Sequence, residues 1–130
     1  MPFILMNHET DPGQSILDQV GDLSSVDVCY SQVLLGIYIR PKVTRGGIHL
    51  ADVSRDEDRY QGKAALVLKL GPLAFKDSDE VVFQGFKVEV GQWVVIRASD
   101  GWALSVHGQD CRMVSDTAIK MIVKQPDEIF

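Results

Sequence analysis

Several groups of residues in this chain have types that could do chemistry, and spacing tests each one. Ser105 and His107 stand two apart, which in a strand puts them on one face, a first step toward an activated hydroxyl nucleophile. A hydrolase also needs a nucleophile elbow or an oxyanion nest, and no Gly-x-Ser-x-Gly turn surrounds Ser105. Asp52, Asp56, Glu57 and Asp58 crowd a short segment as calcium ligands would. The Gly and Glu that an EF-hand loop requires at its sixth and twelfth positions are missing, so Ala51 to Gln61 reads as a solvated linker. Asp77, Asp79 and Glu80 fail in the same way. His8, His49 and His107 show no His-Glu-x-x-His or comparable ligand spacing. Gly46-Gly47 lacks the phosphate-loop frame and its following helix. The expectation is a protein with no catalytic residue, no metal and no cofactor.

Bulk properties narrow the class further. With 130 residues, one domain with its own core is expected. Apolar residues make up 45% and charged residues 24%, an ordinary globular balance. The net charge is −5 with no basic cluster, so nucleic acid is not an expected partner. No window approaches the apolar length of a membrane span, and Met1 to Glu9 lacks the basic start of a secretory signal. Cys29 and Cys111 are far apart, each beside apolar residues, and read as buried free thiols of a reducing, cytoplasmic compartment.

The elements follow from periodicity. Residues 1–30 form an N-terminal extension, with Phe3, Ile4, Leu5 and Met6 as an apolar patch and one helix over 11–20. Asp11 is its N-cap, Pro12 its first residue and Gly21 its end, with Ile16, Leu17 and Val20 on one face. Two turns are too short to stand alone, so this appendage must pack on the body or on a neighbour. Residues 31–124 then read as a run of short strands. In Gln32 to Arg40, Val33, Leu35, Ile37 and Ile39 share one face and Leu34, Gly36, Tyr38 and Arg40 the other. Gly36 marks a bulge or a close backbone approach. Gly62 to Leu70 alternates as a half-buried strand, Trp93 to Arg97 and Trp102 to Val106 follow, and Cys111 to Val114 and Ile119 to Val123 close the set. Ser99-Asp100-Gly101 and His107-Gly108-Gln109-Asp110 are turns, and Ser115-Asp116-Thr117 is a turn or a single helical turn. Trp93 and Trp102 read as core. Residues 73–86 are an excursion holding Phe75, Val81, Val82 and Phe83, and 125–130 form a C-terminal tail. Close turns between short strands predict an all-β fold, a small antiparallel barrel.

Between the first two long strands lies Arg40 to Leu50, a loop with a Gly-Gly pair and an apolar tip, Ile48 and Leu50. Exposed apolar groups on such a segment fit a docking device better than a catalyst. Arg40, Lys42 and Arg45 add local positive charge suited to an acidic partner surface.

The ordered set Gln32-Val33-Leu34-Leu35, Gly46-Gly47-Ile48-His49-Leu50, Gln61-Gly62-Lys63-Ala64-Ala65-Leu66-Val67, Gly71-Pro72, Val88-Glu89-Val90-Gly91-Gln92-Trp93-Val94-Val95 and Ser115-Asp116-Thr117-Ala118-Ile119-Lys120-Met121-Ile122-Val123 resembles the chaperonin-10 (GroES-like) co-chaperonin family. The likeness spans residues 31–124 in order. It implies a Greek-key β-barrel in a homo-oligomeric, seven-membered ring whose loops bind a chaperonin ring and cap its folding chamber. The docking residues it implies are Gly46, Gly47, Ile48, His49 and Leu50. It also implies a roof hairpin over 73–86. The last strand is implied to pair with the first strand of the adjacent subunit, placing Ile119, Met121 and Val123 beside Val33, Leu35 and Ile37.

Three departures stand out. His49 occupies an ordinarily apolar position, some thirty residues precede the first strand, and the roof is rich in apolar residues. The chain looks like the branch of the family found in bacteriophages. A second reading follows: a virion structural protein, such as a capsid decoration or head-tail accessory component, with capsid or virion proteins as partners and the same barrel as its building block.

Overall fold

The computed structural model describes residues 11–40, 64–76, 83, 87–97 and 99–129. The tail before Asp11, the expected docking segment, the Asp52–Asp58 cluster and most of the excursion over 73–86 lie outside the described residues. Helix α1 spans Pro12–Val20, and the strands are β1 Gln32–Ile37, β2 Ala64–Leu70, β3 Trp93–Val95, β4 Trp102–Val106, β5 Gln109–Ser115 and β6 Met121–Val123. Short 3-10 turns occupy Asp116–Ala118 and Pro126–Ile129. No described helix is long and apolar enough to cross a membrane.

The strands form one antiparallel six-stranded sheet in the order β4-β5-β1-β2-β3-β6. The fold is mostly β with one short helix, as the periodicity predicts. A closed barrel is not formed among the described residues: β4 and β6 end up at opposite edges and do not pair. β1 sits in the middle, bonded to β5 on one side and β2 on the other.

Both faces of this sheet are buried. On one, Val33, Leu35, Ile37, Ala65, Val67, Val94 and Val114 pack under Phe75, Val88, Ile96 and Ala118. On the other, Leu34, Tyr38, Ala64, Leu66, Leu68 and Trp93 pack under Ile16 and Val20 of α1 and under Val28. This corrects two expectations. β2 is not half-buried: Ala64 through Leu68 are all buried, because odd and even positions enter different cores. α1 is no appendage either, since Ile16 and Val20 supply the lid of the second core. Burying two such side chains contributes about 1.5–3 kcal/mol each.

The helix forms where its signals place it. Asp11 Oδ2 accepts from the Gln14 N–H at 3.0 Å, Pro12 opens the first turn, and the Gly21 N–H returns to the Leu17 carbonyl at 3.0 Å. Gly36 is where the helix comes closest to β1. A Cβ there would lie 2.6 Å from Ile16 Cγ2 and 3.2 Å from Leu68 Cδ1. The missing side chain is what lets α1 seat. The far end of α1 is fastened to the β4–β5 hairpin, where Gln19 Nε2 donates to the His107 carbonyl at 2.9 Å. That hairpin turns in two residues, His107 and Gly108, both at positive φ, a type I′ geometry that matches strand twist.

Lys69, on β2, turns out of the sheet to donate to the carbonyls of Leu23 (2.8 Å) and Val26. It ties the segment between α1 and β1 to the sheet. Trp93 is buried as expected. Trp102 is not: β4 is an edge strand and leaves it 59% exposed. Cys111 is buried, whereas Cys29 is exposed, because it lies in the connection before β1 and not in a strand.

Candidate functional site

β1 and β2 are antiparallel neighbours, with Ile37 opposite Ala65 and the Tyr38 N–H bonded to the Ala64 carbonyl at 3.0 Å. Residues 41–63 therefore leave and return at one hydrogen-bonded point on the two central strands. The residues expected to dock, Gly46, Gly47, Ile48, His49 and Leu50, lie outside the described residues, but the strands that flank them are well defined. Tyr38 is 2% exposed and continues the Leu34–Gly36 face of β1. Its hydroxyl donates to Asp127 Oδ1 at 2.5 Å, and its ring meets Trp93 edge-on with centroids 5.8 Å apart. Asp127 is itself buried, in the Pro126–Ile129 turn. The stretch after Pro126 is thus no free acidic tail. It folds back beneath the point where residues 41–63 begin.

The six residues expected at a subunit interface are placed differently. Val33, Leu35 and Ile37 are 0–2% exposed inside the chain's own first core, and β1 has both edges bonded within the chain. β1 has no edge to give a neighbour, so its pairing with a neighbouring last strand is corrected. Ile119 packs against the first core and Val123 against the second. Met121 alone of the six is largely exposed, on β6, which is paired only with β3 among the described strands.

The second excursion begins after β2. Its entry turn is fixed by Asp116, a buried carboxylate whose Oδ2 accepts from the Phe75 N–H at 3.0 Å while its own N–H donates to the Ser31 carbonyl at 3.0 Å. Phe75 holds positive φ and packs edge-on against Phe83, with centroids 5.3 Å apart. Part of the apolar content of 73–86 is therefore core. Leu73 and Val90 remain exposed beside a shallow cleft of about 380 Å³ between the Gly71–Lys76 turn and Lys87–Val90.

Of the candidates for chemistry, Ser105 and His107 lie among the described residues. Ser105 and His107 do not share a strand face, because His107 lies in the hairpin turn, where its Nδ1 meets the Val20 carbonyl at 2.5 Å. Cys111 is 1% exposed, and burial pushes its thiol up to about 11. Arg97 and Asp100 form an exposed pair at 3.0 Å that holds the Asp100 carboxyl below its usual range. Among the described residues no group of three or more His, Cys, Asp or Glu could hold a metal ion.

Sequence reading missed Tyr38, Asp116 and Asp127 as a supporting frame. A Tyr on the even face of a strand and an Asp after a Pro are visible signals, but nothing local says that they meet. No family model and no curated protein matches the chain.

Proposed function

We propose that this chain is a non-enzymatic, co-chaperonin-like ring protein with a GroES-like fold. It docks on an ATP-driven chaperonin through Gly46, Gly47, Ile48, His49 and Leu50 and caps the folding chamber. The observation that carries the reading is the tether: a long excursion, with an apolar tip in its sequence, starts and ends on the most deeply buried strand pair of the sheet. Such a base transmits docking to the whole subunit. The order of motifs along residues 31–124 supports the same reading. Ring contacts fall to β6, whose outer edge carries Met121. The test is a pull-down with chaperonin and nucleotide. Wild type is retained and the Ile48→Ser, Leu50→Ser double variant is lost; equal retention of both sinks the docking role.

The second reading is a bacteriophage virion component built on the same fold. It is favoured by α1, an addition ahead of the first strand that is built into the subunit's core. Mass spectrometry of purified particles decides it, since a virion component must be present in them.

A further inference from the structure

The outer edge of β4 combines an open backbone, an apolar face and no charge. The two-residue turn makes Val106 and Gln109 a hydrogen-bonded pair, so Leu104 and Trp102 also bond inward to β5. The backbone groups of Ala103 and Ser105 therefore point outward, and no described residue pairs with them. On one face Trp102, Leu104 and Val106 form an apolar stripe whose first member is more than half exposed. Edge strands of monomeric proteins are normally blunted by charge, Pro or a bulge. β4, Trp-Ala-Leu-Ser-Val, has none of these.

We propose that β4 pairs antiparallel with β4 of a second copy about a twofold axis at Leu104. The register is self-complementary. Ala103 faces Ser105 of the partner subunit, and the two exchange N–H and carbonyl groups; the symmetric exchange doubles the set. Leu104 meets the partner's Leu104 in a non-hydrogen-bonded pair, the closer kind, and Trp102 meets the partner's Val106 on the same face. Extending the register sets Asp100 against the partner's Gly108 and Gly101 against the partner's His107, so no like charges oppose. At three residues β6 is the shorter edge, and pairing it about Ile122 would set Lys120 against the partner's Lys124, whereas the five-residue β4 meets no like charge about Leu104. The contact is independent of chaperonin docking.

The test uses the full chain with Cys29→Ser and Cys111→Ala, which removes both native thiols, because Cys111 stands opposite Leu104 across β4–β5 and would otherwise compete for the new cysteine. Leu104→Cys in that background should form a disulfide-linked dimer under mild oxidation, since the two positions face each other across the axis. Native mass spectrometry of the unsubstituted chain should give an even number of copies. Ala103→Pro, which removes an outward donor at an edge that tolerates Pro, should halve that mass with an unchanged circular dichroism spectrum. A monomer, a ring of odd number, or an assembly in which Leu104→Cys does not link to itself overturns the proposal. So does a monomer whose Ala103 and Ser105 amides are protected from exchange, because another part of the same chain then covers the edge.

Discussion

Tyr38 and Asp127 are the pair on which the base of the 41–63 excursion rests, and their chemistry makes a sharp prediction. Tyr38→Phe keeps the ring against Trp93 but removes the hydroxyl that donates to Asp127 Oδ1. A buried carboxylate oxygen that loses a donor costs about 1–3 kcal/mol, so urea unfolding should shift by that amount with the slope unchanged. An unshifted midpoint would show that the bond holds nothing together. Cys111 makes a second prediction. Burial raises its folded pKa from 9.0 to about 11, so the thiol stays protonated in the native state. Its contribution to stability is intact below pH 9 and is lost as pH rises toward 11, because the unfolded chain gives up that proton first. A thiol reagent at pH 8 should then modify Cys29 alone in the folded protein, and both cysteines after unfolding.

At the scale of elements, α1 is the test of how the sheet acquires its second core. Gly36→Leu sets a side chain where Ile16 now sits, against a β-branched neighbour that cannot swing away. Overpacking of this kind costs about 1–3 kcal/mol, and it should lift α1 from the sheet, raising amide exchange in Pro12–Val20 while β5 and β1 stay protected. Retained protection of the helix would place its docking energy elsewhere. The elements themselves were largely legible in the sequence. Asp11, Pro12 and Gly21 bracket the helix because capping is local, and the odd and even faces of Gln32 to Arg40 are those of the two cores. Trp102 was misjudged because burial depends on strand order, the same residue type being core in β3 and surface in β4, and Cys29 because it falls in the connection before β1. The alternation in Gly62 to Leu70 reads as one wet face, and only the packing of α1 over that face turns it into a second interior. Asp116 and Asp127 were hidden for a related reason, since each meets a partner dozens of residues away.

At the scale of the whole molecule, a doubly covered sheet whose core strands are bonded on both edges ends in two outer edges of different character. β6 is short and flanked by Lys120 and Lys124, while β4 is uncharged. The central strand pair carries the segment proposed to dock, and the outer edges of β4 and β6 are unpaired among the described strands. The most direct measurement is native mass spectrometry of the full chain mixed with chaperonin and nucleotide. The account predicts a discrete complex in which one oligomer of this chain sits on a chaperonin end, dissociating when Ile48 and Leu50 are both changed to Ser. Two unassociated species, with chaperonin and nucleotide in excess, would contradict it.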